Sequence, residues 1–223
     1  MERSEPVSDA AAPVCGHCLK PPELCVCEEV TAVANGIALL ILQHPQEQDK
    51  LLGTARLTTR SLTNATFRVG LSWPSLAKAL GRPADPKRWA TLFLGATRGA
   101  DFPAGQEIAV FDRKGSPVAD QVHALADIEG VILLDGTWSQ AKTLWWRNAW
   151  LLKSKRIALK PKRPSLYGRL RREARREGLS TIEAAGMALA RLEHRPEIET
   201  ALTDIFALML KRYQAARGTK PAA

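Results

Sequence analysis

Short apolar runs alternate with longer amphipathic stretches along this chain, and turn formers close each run. Six runs read as strands, at residues 37–43, 66–69, 91–94, 108–111, 131–134 and 156–159. Helical spacing falls between and after them, at 46–61, 75–80, 138–152, 180–192 and 197–214. Strand and helix in turn predict an α/β fold: a mostly parallel sheet with helices on both faces. Within the helix at 138–152, Trp138, Ala141, Trp145, Ala149 and Leu152 share a stripe expected to face the sheet. Trp146 and Trp150 lie on its flank, either packed under the C-terminal helices or offering a surface for base stacking.

Two helix starts are legible. Ser180-Thr-Ile-Glu183 fits a capping box, which makes Glu183 a cap rather than a catalyst. Behind it Ile182, Ala185, Gly186, Leu189 and Leu192 form one stripe whose small residues permit close approach. Pro196 opens the last helix, with Ile198, Ala201, Leu202, Ile205, Phe206 and Met209 as its core face.

The junction from Val131 to Trp145 carries the most chemistry, because a strand ends in a carboxylate, Asp135, and turns at once into a helix. Open α/β sheets bind ligands at that rim, against helix N-termini. Asp135 is therefore placed either to do chemistry or to cap the helix that follows. No Gly-x-Gly-x-x-Gly loop follows the first strand, which argues against a standard dinucleotide site.

A length of 223 residues fits one large domain with a small appendage, and a hydrophobic share of 45% can build its core. The expected organisation is a disordered tail at 1–13, a metal knuckle at 14–30, a folded body at 31–217 and a disordered tail at 218–223. No apolar run approaches the roughly 20 residues of a membrane span, and residues 1–13 do not read as a secretory leader, so a cytoplasmic location is expected.

Net charge changes the picture. Of the +9 total, residues 153–176 hold eleven Lys or Arg against one acid, Glu173, a local balance of +10. A solvated basic face would be spread more evenly. Pro161 and Pro164 rule out one long amphipathic helix for a membrane surface, so nucleic acid is the favoured partner.

All four cysteines fall within thirteen residues, as Cys15-Gly-His-Cys18 and Cys25-Val-Cys27. Four thiolates at this spacing can converge on one tetrahedral metal, with zinc the default and an iron–sulfur cluster the alternative. His17 could replace a thiolate, but four cysteines make it redundant. Four protein ligands leave no open position, so the knuckle reads as structural.

Taken together, Cys15-x2-Cys18-x6-Cys25-x-Cys27, His44-Pro-Gln-Glu47, Asp135-Gly-Thr-Trp138 and Arg171-Arg172 followed by Leu179-Ser-Thr-Ile-Glu-Ala184 resemble the DTW-domain proteins. These are tRNA-uridine aminocarboxypropyltransferases related to the knotted SPOUT-type RNA methyltransferases, and the resemblance covers most of the chain. Gly136 fills the variable place of the Asp-x-Thr-Trp signature. Gly53 stands where the family usually has Asn before Thr54, and Ala174 stands where a proline is expected.

The resemblance implies a C-terminal trefoil knot and a monomer or homodimer. It also implies transfer of the 3-amino-3-carboxypropyl group of S-adenosylmethionine to N3 of a tRNA uridine, in the variable loop, releasing methylthioadenosine. Asp135 becomes the candidate base, or alternatively a grip on the cofactor's amino group or ribose. Cofactor contacts are expected from His44, Glu47, Thr54, Leu94, Gly95, Leu134, Gly136, Trp138, Leu179, Ser180 and Thr181. RNA contacts are expected from Arg56, Lys160, Lys162, Arg163, Arg169, Arg171, Arg172 and Arg175. A SPOUT-type methyltransferase and a non-catalytic zinc-bearing RNA-binding protein are the alternatives.

Overall fold

The structure is a computed structural model that describes residues 14–92, 102–168, 170 and 178–218. Six strands form one sheet: β1 (Ala38–Gln43), β2 (Ala65–Val69), β3 (Trp89–Leu92), β4 (Ile108–Phe111), β5 (Gly130–Asp135) and β6 (Lys155–Leu159). Their order is β2-β1-β5-β3-β6-β4, and every pairing is parallel except that of β4 with β6. All six strand runs were legible in the sequence. Alternation along them divides the core in two. Leu39, Ile41, Val131 and Leu133 face a layer built by α1 (Ala55–Arg60), α5 (Thr181–Glu193) and α6 (Pro196–Gly218). Ala38, Leu40, Leu42 and Ile132 face the opposite layer, which includes α2 (Leu76–Leu80), Trp150 and Leu151.

Both expected helix starts hold. Ser180 accepts from the Glu183 amide, and the Glu183 carboxylate returns to the Ser180 amide. Gly186 lets α6 lie close: a Cβ there would sit 3.3 Å from Glu199 Cα.

Two expected helices are shorter than their patterns. The stretch 46–61 divides into a 3-10 turn at Pro45–Glu47, a loop, and α1. Gly53 weakens helix there, and the Leu51 and Gly53 carbonyls instead accept from the buried Lys20 ammonium, each at 2.7 Å. The helix α4 (Trp138–Arg147) stops at Asn148, whose amide accepts from the Trp73 N–H and donates to the Leu71 and Leu144 carbonyls. The tryptophan stripe is corrected accordingly. Ala141 and Leu144 are the buried positions of α4, Trp138 and Leu152 are exposed, and Trp150 packs beside Trp73 under α2 instead of under the C-terminal helices.

One helix was not anticipated, α3 (Gln121–Ala126), because it is short and its buried residue is polar: Gln121 is buried and Val122 exposed, while Ala124 and Leu125 pack against the core only in part. The Gln121 amide accepts from Val110 N–H and donates to Val110 and Val118 carbonyls, standing in for a neighbouring strand along the edge strand β4.

Candidate functional site

Parallel strands deliver their carboxyl ends to one rim, and there β1 and β5 end side by side with Gln43 opposite Asp135. Asp135 lies on the α5 side of the sheet and is half-buried. Its Oδ2 accepts from Gln43 Nε2 at 2.7 Å, and its Oδ1 accepts from the Thr181 hydroxyl in the first turn of α5. Two donors fix the plane of the carboxylate, and because each oxygen has two lone pairs, one on each remains for a further donor. The capping alternative for Asp135 is overturned, since Thr137 caps α4 in a reciprocal pair with Gln140.

Around that carboxylate the helix starts converge. Thr54, buried at the start of α1, accepts from the Ile182 amide of α5 through its hydroxyl at 3.3 Å. Glu183 also accepts from the Ser165 hydroxyl and the Leu166 amide, and Tyr167 donates to Leu52 carbonyl at 2.6 Å, so the segment after β6 is fastened to the same rim. His44 donates its backbone N–H to the Asp135 carbonyl, while its ring Nδ1 accepts from the Gln46 amide. Gly136 packs against Gln140 and His44.

Three buried polar atoms in this stretch of chain have no hydrogen-bond partner among the described residues: Gln43 Oε1, Glu47 Oε1 and Arg56 Nε. Glu47 is only 5% exposed, which makes an unpaired carboxylate oxygen costly unless a ligand supplies the donor. Gln43 escaped the sequence reading because it closes an apolar strand; its one signal was an amide where the run meets the rim.

The structure thus gathers Asp135, Thr181, Thr54, Ser180 and His44 from the expected set, with Leu179 alongside and Glu47 in the short turn that follows His44. Leu134 points to the opposite face, against the core under α2. Trp138 opens α4 at 38% exposure with the Lys142 ammonium 5.7 Å from its ring centre. Leu94 and Gly95 lie outside the described residues, as do Arg169, Arg171, Arg172 and Arg175.

The basic segment is partly spent on the fold. Lys162 pairs with Glu107, and Lys155 pairs with Asp127 at 2.6 Å. Lys160 lies 5.9 Å from the Phe102 ring centre and Arg163 is exposed. Arg56 stacks 4.9 Å over Phe67 and carries its Nε in the interior.

At the other end, the four cysteine Sγ atoms all lie within 4.8 Å of one another, with Cys18 and Cys25 at 3.8 Å. A tetrahedral zinc with Zn–S near 2.3 Å places its sulfurs about 3.8 Å apart, so the donor set fits. Backbone N–H groups of Cys18 and His17 pull the Cys15 thiol down to about 6, whereas burial pushes Cys18 and Cys27 up. Holding Cys18 and Cys27 as thiolates at neutral pH therefore calls for a cation. His17 is exposed and outside the cluster.

The DTW domain family matches residues 12–214. The chain is 31% identical over 205 residues to tRNA-uridine aminocarboxypropyltransferase 2 of Macaca fascicularis, covering 88% of this chain and 62% of that protein. It is 31% identical over 201 residues to the protein of that name from Mus musculus, with the same coverage, and 28% identical over 208 residues to that from Drosophila melanogaster, covering 92% and 76%. The chain thus spans 62% of the length of its macaque and mouse relatives. No solved structure matches it.

Proposed function

The chain belongs to the DTW domain family, and we propose that it transfers the 3-amino-3-carboxypropyl group of S-adenosylmethionine to N3 of a tRNA uridine. The observation that carries this reading is the rim itself: a half-buried carboxylate with acceptor capacity to spare, next to a chain segment with three unpartnered buried polar atoms. The transferred group is an amino acid, and those atoms match its two charged ends. Glu47 Oε1 and Gln43 Oε1 are acceptors for an ammonium, and the Arg56 guanidinium is a partner for a carboxylate.

Chemically, the sulfonium donor supplies an electrophilic CH2. Uridine N3 forms the new C–N bond as the C–S bond breaks, the electron pair returns to sulfur, methylthioadenosine leaves, and the N3 proton passes to Asp135. Asp135 is the base, and Thr181 and Gln43 are the residues that aim it. Positioning decides which carbon of the donor is exposed to attack, so gripping the amino-acid arm is what separates this reaction from methyl transfer. The Leu179–Thr181 turn and the segment at Leu94–Gly95 are proposed to hold the adenosine end.

Cys15, Cys18, Cys25 and Cys27 are proposed to hold structural zinc. A SPOUT-like knotted chain path is part of the proposal; it is supported by the insertion of β5 between β1 and β3 and by the return of α5 to the rim. A cytoplasmic location remains part of the reading. Among the described residues no helix is long and apolar enough to cross a membrane.

The test is the identity of the nucleoside by-product. Incubation with S-adenosylmethionine and unmodified tRNA should yield methylthioadenosine together with 3-(3-amino-3-carboxypropyl)uridine. S-adenosylhomocysteine and a methylated nucleoside would instead make the protein a methyltransferase.

A further inference from the structure

On the premise that this protein acts on RNA, we infer that the outer face of α4 is a stacking platform for an unpaired nucleotide flanking the target uridine. At about 100° per residue Trp138, Lys142 and Trp146 occupy one arc of roughly 80°, with Trp145, half-buried against the core under α2, at its edge. Trp146 is 76% exposed and Trp138 38%, a surface that ordinary packing does not explain. Cations border both ends: the Lys142 ammonium lies 5.7 Å from the Trp138 ring centre, and the Arg156 guanidinium 5.3 Å from that of Trp145. Flat π surfaces interleaved with cations suit a single-stranded nucleic acid, whose bases stack while its phosphates pair.

Position supports the same occupant. α4 begins three residues after Asp135, and Trp146 lies about 12 Å further along the helix axis, so a strand reaching the rim can run beside it. A second copy of this chain fits less well, because a two-fold contact on this face sets Lys142 near its own symmetry mate in a chain of net charge +9.

The test uses the full chain, a short oligouridylate and unmodified tRNA. Trp146→Ala should weaken both about fivefold to a hundredfold, the range that loss of one base–aromatic stack gives. It should raise KM for tRNA and leave KM for S-adenosylmethionine unchanged, while Trp146→Phe retains most of the affinity. Trp146 is exposed, so the variant should melt as the parent does. Unaltered RNA affinity in Trp146→Ala overturns the inference. So does a parent dimer that dissociates in Trp146→Ala while tRNA affinity stays intact, which would make the face a self-association surface. If the parent binds oligouridylate through Trp146 but transfers nothing to any tRNA, the platform stands and the proposed reaction falls.

Discussion

Asp135 is held from two sides by groups of unequal visibility. Its place at the end of an apolar strand announced it, and Thr181 came with a recognisable helix start. Gln43 did not announce itself, because its contact with Asp135 spans 92 positions and exists only once β1 and β5 pair in register. Asp135→Asn keeps the shape and removes the proposed proton acceptor. It should lower kcat by about 10²- to 10⁴-fold while tRNA affinity stays within about twofold, and single-turnover kinetics with a filter-binding control would show it. An undiminished rate would remove Asp135 from the mechanism. Thr181→Val deletes one of the two aiming hydrogen bonds, so a smaller fall in kcat is expected, with Thr181→Ser restoring it.

Elements whose signals are local were legible, and those shaped by distant partners were not. The Ser180–Glu183 box needs four consecutive residues. The end of α4 at Asn148 depends on Trp73 and Leu71, and the loop before α1 depends on Lys20, which reaches across from the cysteine knuckle to the Leu51 and Gly53 carbonyls. Lys20→Met should therefore cost about 1–3 kcal/mol by leaving those carbonyls without their donor, measurable by urea unfolding. Packing between α5 and α6 gives a second expectation. Gly186→Val drives a branched side chain against Glu199 and Leu202 and should destabilise by about 1–3 kcal/mol. An unchanged midpoint would mean that α6 shifts freely.

Across the whole molecule, the basic run and the cysteine cluster lie in different segments. The cationic run of 153–176 stands out in the sequence, yet the sequence does not reveal which of its members the fold consumes. Lys155, paired to Asp127 and bonded to Ala124 carbonyl, should lower stability when replaced by Ala and leave RNA affinity unaffected; the exposed Arg163 should do the reverse and flatten the salt dependence. Chelating the metal proposed for the four cysteines should unfold the knuckle, which rests on α6, and lower Tm, a loss of about 2 kcal/mol corresponding to roughly 4–8 °C in a chain of this size. The central claim concerns the carbon that moves. With S-adenosylmethionine labelled separately in its carboxyl and methyl groups, the carboxyl label is expected to enter tRNA and the methyl label to remain in methylthioadenosine. Methyl label in the RNA, with none from the carboxyl, would contradict the account.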